Sequence, residues 1–191
     1  MEIILRYILI PYLFVTPITF GGIIHSYAIK KNILPKFKIP IDFGKTINSK
    51  RVFGNNKTFR GFFIMIIAGG FWGLMLYFLG SAHNLDIVSG YYINPYNSVL
   101  LGGVLGLIYL LGELPNSFIK RRYNIADGKR TSGKYKRLSY FIDQADSSIS
   151  VVIYLLYIGI EPIKVFSVFV TGTLIHIIFD KALYALRVKQ K

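Results

Sequence analysis

Two acidic residues three positions apart are the most informative chemical feature of the sequence. Asp143 and Asp146 lie in the stretch FIDQADSSI, at the start of an apolar run. On a helix this spacing places both carboxylates on one face. Carboxylates beside a bilayer are costly unless they are paired or bind a metal, and Mg²⁺ is usually held by one or two carboxylates plus substrate phosphates. The pair predicts an Mg²⁺ site, with a salt bridge to Lys136 or Arg137 as the alternative.

A second cluster of reactive side chains, GELPNSFIKRR, closes the preceding apolar run. Glu113 is a candidate third metal ligand. Ser117 can donate a hydrogen bond to a phosphate, and Lys120 adds positive charge beside it. Arg121 can hold a phosphate through two parallel hydrogen bonds. This stretch therefore predicts phosphate binding next to the predicted metal site.

The stretch RVFGNNKTFRG begins another apolar run and resembles the end of a P-loop. A Walker A loop needs G-x-x-x-x-G-K-[ST] between a strand and a helix, and the first glycine is missing here. The amides of Gly54 and Gly61, with Lys57, Thr58 and Arg60, nevertheless lie at a predicted helix N-terminus, which favours phosphate. An ordinary interfacial anchor, with Lys and Arg reaching lipid phosphates, explains the same residues equally well.

The apolar runs that carry these residues define the fold class. The 191 residues are 53% hydrophobic with a mean hydropathy of +0.47, and several runs approach the roughly 20 residues that a membrane helix needs. We predict an all-α polytopic membrane protein with about five transmembrane helices, forming one integral-membrane domain over 1–191. Pro11 and Pro17 favour a kink or break in the first helix, and the fourth is short. The predicted spans are 3–28, 59–79, 97–116, 145–160 and 164–186.

The net charge of +14 is concentrated in alternate loops. Lys and Arg crowd between the first two spans and again between the third and fourth, whereas segment 80–96 has neither. The positive-inside rule predicts two basic cytoplasmic loops, an external N-terminus and a cytoplasmic C-terminus in the cell membrane. The partner is therefore the lipid bilayer, and nucleic acid is not expected. The C-terminal cations are Arg187, Lys189 and Lys191, and the expected outer aromatic belt is Tyr91, Tyr92 and Tyr96.

Cations and carboxylates at one membrane face suit a reaction between a soluble polyphosphate and a phosphate on a lipid. The cations would hold the like charges together, and Mg²⁺ would stabilise charge that develops as phosphorus–oxygen bonds exchange. The chemistry requires no protein nucleophile. This agrees with a sequence that has no cysteine and no Ser/His/Asp motif.

Three stretches resemble the archaeal CDP-archaeol synthase family, which is related to the CDP-diacylglycerol synthases. They are PIDFGKTINSKRVFGNNKTFRG (40–61), GELPNSFIKRR (112–122) and IDQADSS (142–148). The resemblance implies a five-span cytidylyltransferase that uses Mg²⁺. Such an enzyme transfers CMP from CTP to the phosphate of an unsaturated, ether-linked isoprenoid glycerolipid and releases pyrophosphate.

The resemblance also implies roles for individual residues. Asp143 and Asp146 would bind the metal, while Asp42 and Lys45 belong to the first stretch without a defined role. Nucleotide binding is implied for Lys57, Thr58, Arg60 and Gly61, and phosphate binding for Ser117, Lys120 and Arg121. Glu113 stands where the family has aspartate, and Asp180 follows His176 where the family has asparagine. We expect His176 to be a packed, hydrogen-bonded histidine.

Three other functions remain to be compared with this one. Asp127-Gly128 begins like the D-G-x-x-A-R motif of CDP-alcohol phosphotransferases, but Ala-Arg is absent at the required offset. A small transporter or membrane assembly factor would place polar groups near the bilayer midplane. The same reaction on phosphatidic acid, as in a CDP-diacylglycerol synthase, stays open because lipid tails are held by nonspecific apolar surface.

Overall fold

A computed structural model of the chain describes residues 2–85, 88, 90–129, 131 and 133–185, with side chains described between residues 9 and 182. The predicted cationic tail at Arg187, Lys189 and Lys191 lies outside the described residues, as does Arg130. Five long helices dominate the described part, which confirms the predicted all-α class. They are α1 (Glu2–Lys30), α2 (Phe59–Ala82), α3 (Pro95–Arg122), α4 (Lys136–Tyr157) and α5 (Pro162–Ala185).

Four of the helices are long and apolar enough to cross a membrane: Leu9–Lys30, Phe59–Ala82, Pro95–Arg122 and Pro162–Ala182. The remaining helix, α4, has 22 residues. At 1.5 Å per residue it is about 33 Å long, so its length also matches the hydrocarbon core of roughly 30 Å. Its composition differs because its first half carries the charged residues of the candidate site. The chain is thus a multi-pass membrane protein with about five membrane helices.

Helix ends differ from the prediction where charges lie. The third span was predicted to end at residue 116, but α3 continues to Arg122. The fourth was predicted over 145–160, but α4 begins at Lys136. A span predicted from hydropathy ends before the first cations. The helix itself can continue, because its dipole favours cations in the last turn. In the first helix, α1 runs without interruption through Pro11 and Pro17.

The first basic loop contains a small β-hairpin that the sequence analysis did not predict. Strand β1 (Thr46–Ile47) pairs antiparallel with β2 (Lys50–Arg51), with Thr46 opposite Arg51. The two turn residues, Asn48 and Ser49, have φ values of 50° and 60°. Positive φ at both positions is the type I′ geometry of a two-residue hairpin. The loop also contains a 3₁₀ turn at Pro35–Phe37.

Glycines bring α2 and α3 into backbone contact. A Cβ atom at Gly69 would collide with the carbonyl oxygen of Gly102, and one at Gly106 with that of Met65. A Cβ atom at Gly73 would likewise collide with the carbonyl oxygen of Ser98. Small residues at these positions therefore allow the two helices to pack tightly.

The tyrosines just before and at the start of α3 are divided between the core and the surface. Tyr96 is exposed, as expected for an interfacial belt. The prediction for Tyr92 was wrong, because its side chain is buried and its hydroxyl donates to the carbonyl oxygen of Leu13 at 2.6 Å. The Tyr91 ring packs 5.0 Å from that of Phe14. Tertiary contacts with α1 therefore decide the position of these two tyrosines.

Candidate active site

Three helix ends meet at one end of the bundle. Arg60, in the first turn of α2, reaches the end of α1 through Asn32 Oδ1 at 3.4 Å and the carbonyl oxygen of Ile33 at 3.3 Å. Lys50 Nζ donates to the carbonyl oxygen of Arg122, at the end of α3, at 2.7 Å. The guanidinium of Arg122 in turn donates to the hairpin carbonyl oxygens. Both basic loops therefore lie at the same end of the bundle.

The two predicted metal-binding aspartates converge on one nitrogen atom. Asn116 Nδ2, on α3, donates to Asp143 Oδ1 at 2.8 Å and to Asp146 Oδ2 at 2.7 Å. Asp143 also forms an ion pair with Lys120 at 2.5 Å. The cation beside Asp143 is thus Lys120 on the neighbouring helix, rather than Lys136 or Arg137. The other oxygen of Asp146 accepts from the amide of Ser147 at 2.6 Å.

This arrangement fits a divalent cation. Two carboxylates from one face of α4 aim an oxygen at a single point, where the amide of Asn116 now lies. Within the described residues, no group of three His, Cys, Asp or Glu side chains forms a ready metal site. The two carboxylates of Asp143 and Asp146 suit Mg²⁺, which takes few protein ligands and completes its shell with water and substrate phosphates. The ligand role of Glu113 stays a prediction.

Glu113 is ion-paired with Lys57. Lys57 directly precedes Thr58, the N-cap residue of α2, and Glu113 projects from the middle of α3. Their side chains are only 15% and 22% exposed, so the pair is largely removed from water. Ion pairs with little solvent around them are screened weakly. The attraction between Lys57 and Glu113 is therefore only weakly reduced by dissolved salt.

The first cavity of the site is a polar pocket of about 200 Å³. Its walls combine cations, carboxylates and amides from both basic loops and from α3, α4 and α5. It includes the predicted residues Lys57, Glu113, Ser117, Lys120, Arg121, Asp143 and Asp146. The structure thus brings seven of the predicted residues to one cavity. The pocket also holds Asn56, Asn116, Lys129, Gln144, His176 and Asp180, which were not predicted as site residues.

The second cavity is an apolar chamber of about 360 Å³ between α1, α3, α4 and α5. Apolar side chains such as Val15, Ile18 and Ile175 form most of its wall. The chamber and the polar pocket share the wall residues Asn56, Lys57, Glu113, His176 and Asp180. A molecule with a charged head and apolar chains can therefore occupy both cavities at once.

Asp42 organises the first basic loop from within. Its buried carboxylate accepts from Arg51 at 2.6 Å and from the amides of Gly44, Phe53 and Gly54 at 2.9–3.2 Å. Burial raises the pKa of Asp42, but these hydrogen bonds outweigh it and lower the pKa from 3.8 to about 2. The Gly54 amide, predicted to bind phosphate, is thus directed at Asp42. The local sequence around Gly54 does not reveal that a carboxylate 12 residues earlier accepts the hydrogen bond of its amide.

Asp127 connects the two basic loops. It forms an ion pair with Arg121 and accepts from the amide of Asn55 at 2.9 Å. Arg121, which lines the polar pocket, donates in addition to the carbonyl oxygen of Ala126 at 3.3 Å. Asp127 was considered only as part of a rival motif. Its role depends on a contact between positions 72 apart in sequence, which no local pattern signals.

The other predicted residues are not among the wall residues of the two cavities. Thr58 is buried as the N-cap residue of α2, and Arg60 is buried against the end of α1. Gly61 packs against the His25 imidazole, with a Cβ position 3.1 Å from Nε2. Lys45 is exposed, and its amide donates to the carbonyl oxygen of Asp42 at 2.8 Å.

His176 has the hydrogen-bonded environment that the sequence analysis expected. Nε2 lies 3.4 Å from the Tyr109 hydroxyl, and Nδ1 lies 3.2 Å from the carbonyl oxygen of Gln144. Asn116 was missed, although it stands in GELPNSFIKRR beside Ser117 and three residues after Glu113. A spacing of three places a residue on the same helix face as Glu113, which was the available signal.

Comparison with known proteins agrees with this architecture. The CarS-like family model, described as CDP-archaeol synthase, matches residues 9–191. The CDP-archaeol synthase of Pyrobaculum islandicum is 34% identical over 160 residues, which cover 82% of this chain and 84% of that protein. That of Staphylothermus marinus is 32% identical over 157 residues, covering 79% and 77%. No solved structure matches the chain. The chain therefore belongs to the CarS-like family of CDP-archaeol synthases.

Proposed function

We propose that this protein transfers CMP from CTP to the phosphate of an unsaturated, ether-linked isoprenoid glycerolipid, giving CDP-archaeol and pyrophosphate. The observation that carries the proposal is the junction of a charged pocket with an apolar chamber at Lys57 and Glu113. A lipid phosphate needs apolar space for its chains and a polar opening for its head. Family membership supports the same reaction.

In this reaction an oxygen of the lipid phosphate attacks the α-phosphorus of CTP. A new phosphorus–oxygen bond forms, the bond from the α-phosphorus to the bridging oxygen breaks, and pyrophosphate leaves with that oxygen. Both reactants are anions, so bringing them together is a main difficulty. Lys57, Lys120 and Lys129 line the polar pocket and lower this repulsion. Holding the reactants in line at short distance provides the rest.

We assign distinct tasks to the other residues of the pocket. Asp143 and Asp146 would hold Mg²⁺, with Asn116 turning its amide oxygen towards the ion. Mg²⁺ would offset the phosphate charges and stabilise charge developing in the transition state. Arg121, oriented by Asp127, contacts the triphosphate, and Ser117 donates to a phosphate oxygen. Asp42 shapes the loop that carries Lys57.

We further propose that the pocket opens to the cytoplasm of the cell. Both basic loops lie at the pocket end of the bundle, and the positive-inside rule assigns such loops to the cytoplasm. The N-terminus is then external. CTP, a cytoplasmic nucleotide, reaches the pocket directly from this side, and the lipid reaches the chamber from the bilayer.

The test is pyrophosphate release by detergent-purified protein with CTP, Mg²⁺ and a lipid phosphate. We expect turnover with digeranylgeranylglyceryl phosphate and much less with phosphatidic acid. Preferential turnover of phosphatidic acid would instead place the protein in ester-lipid synthesis. If folded protein shows neither turnover nor CTP binding, the enzyme proposal fails, and a transporter or assembly factor becomes the better explanation.

A further inference from the structure

His25 lies where the apolar chamber approaches the polar pocket. It projects from α1 into the chamber wall, together with Lys57 and Glu113. Its imidazole packs on the start of α2, because a Cβ atom on Gly61 would be 3.1 Å from Nε2 and 3.2 Å from Cε1. The side chain is only partly exposed. His25 therefore has a fixed position beside the chamber's charged end.

The polar atoms of His25 are not committed to other side chains. Among the residues that the structure describes, no hydrogen bond ties the His25 ring to a partner. The second histidine of the junction differs, since His176 lies within 3.4 Å of the Tyr109 hydroxyl and 3.2 Å of the Gln144 carbonyl oxygen. A polar ring at membrane depth is costly without a partner and usually marks function. A ligand in the chamber is the natural partner for His25.

The charges around His25 indicate the kind of ligand. Lys57 and Glu113 line the same chamber wall as the imidazole. Arg60 directly precedes Gly61, against which the imidazole packs. Glu113 is already paired with Lys57, and Arg60 adds a cation that faces the end of α1. An anionic group at this point is attracted by both cations. The chamber behind it is apolar, so the anion must carry apolar chains.

The basic residues of the site are also ordered along one direction. Lys120 and Lys129 line only the polar pocket, Lys57 lines both cavities, and His25 lines only the chamber. A soluble triphosphate entering the polar pocket meets Lys120 and Lys129 first. A lipid phosphate that enters from the chamber contacts His25 first and then Lys57.

We propose that His25 binds the phosphate of the lipid substrate and thereby orients it towards Lys57. A ring N–H donates a hydrogen bond to a non-bridging phosphate oxygen, and no bond is made or broken at His25. This assignment rests on the proposed function, because it takes the lipid phosphate as the substrate. It separates a lipid subsite at His25 from a nucleotide subsite at Lys120 and Lys129.

The experiment compares variants in two assays. His25→Leu removes hydrogen bonding while keeping bulk against Gly61, and His25→Gln keeps a donor. The control is His83→Leu, at the opposite end of α2. Steady-state kinetics give the apparent KM for each substrate. Thermal stabilisation by digeranylgeranylglyceryl phosphate without CTP gives lipid binding directly.

We expect His25→Leu to raise the KM for the lipid phosphate and weaken its binding by roughly tenfold, with the KM for CTP unchanged. His25→Gln should recover part of the affinity, and His83→Leu should match wild type. Unchanged lipid binding in His25→Leu would overturn the assignment, as would a rise confined to the KM for CTP. If the Leu variant does not fold, His25→Phe preserves a planar ring and answers the same question.

The two assays separate this inference from the proposed reaction. Wild-type protein that binds the lipid phosphate but releases no pyrophosphate would contradict the proposed reaction, and the binding assay would still test His25. Normal turnover with equal lipid binding by wild type and His25→Leu would contradict only the role of His25. Wild-type protein that binds no lipid phosphate would overturn both.

Discussion

Lys57 at the start of α2 is ion-paired with Glu113 on α3, in the wall shared by the polar pocket and the apolar chamber. The two residues are 56 positions apart. Removing one partner of such a pair leaves the other charge in poorly hydrated surroundings, which is costlier than losing the pair as a whole. Variants of these residues must therefore be compared together.

Lys57→Ala should raise the KM for CTP and lower kcat/KM for both substrates by about tenfold or more, because Lys57 lies where the phosphates meet. Steady-state pyrophosphate release measures both constants. Glu113→Gln and the double variant show how far the ion pair contributes, since residues in contact give non-additive effects. Lys36→Ala, on the exposed 3₁₀ turn, is the matched control. If the KM for CTP is unchanged in Lys57→Ala, Lys57 is better explained as an interfacial anchor that binds lipid phosphates.

Asp143→Asn and Asp146→Asn should each lower turnover by about 100-fold or more while the protein still inserts and folds. Each substitution removes a charge that the proposed metal site needs, and Asn116 already supplies a neutral amide there. An Mg²⁺ titration of activity tests the assignment directly, with Glu161→Gln at the other end of the bundle as control. Near-normal activity with an unchanged Mg²⁺ requirement in both variants would remove the metal-site hypothesis.

Asp42 should make the first basic loop sensitive to acid. The pKa of Asp42 is about 2 in the folded loop and 3.8 ordinarily. The ionised carboxylate therefore stabilises the folded loop by about 2 kcal/mol, and this stabilisation is fully present above pH 3.8. It is lost as the pH falls from about 4 towards about 2. Hydrogen-exchange protection of the 42–54 peptide, corrected for intrinsic rates, should show this loss.

The matched variants for this loop are Asp42→Asn and Glu161→Gln. Asp42→Asn should lower protection at neutral pH by roughly 10- to 30-fold and abolish its loss at low pH. Glu161→Gln should change little, because its ion pair with Lys164 is half exposed and such pairs contribute little. A wild-type loop with the same protection at pH 5 and pH 2.5 would show that the hydrogen bonds of Asp42 do not stabilise it.

Gly102→Ala should destabilise the helix pair α2–α3 by about 1–3 kcal/mol, because the new Cβ atom meets the carbonyl oxygen of Gly69. Thermal unfolding in detergent measures the loss. Gly22→Ala on α1 is the control, since the nearest atom to its Cβ position is Phe179 Cε1 at 3.8 Å. Equal unfolding temperatures for the two variants would mean that the helices separate easily at Gly102.

Hydropathy and charge patterns predicted the membrane helices well, because both depend on local composition. Their limits show at α4, where the charged residues of the site interrupt the apolar run and the helix begins nine residues before the predicted start. The hairpin was missed because its strands have two residues each, and only Asn48 in the turn suggests positive φ. Short, exposed elements of this kind leave little periodicity to read.

Composition, charge and three sequence motifs were enough to identify the class of protein and the family, and they predicted Lys57, Lys120, Asp143 and Asp146 as site residues. Which of these residues lie together in one pocket is seen only in the folded chain. The tertiary structure directed the Gly54 amide to Asp42, paired Arg121 with Asp127, and brought Asn116 between two carboxylates. Hydrogen bonds and ion pairs act over only a few ångströms. Partners far apart in sequence meet only where helix packing places them.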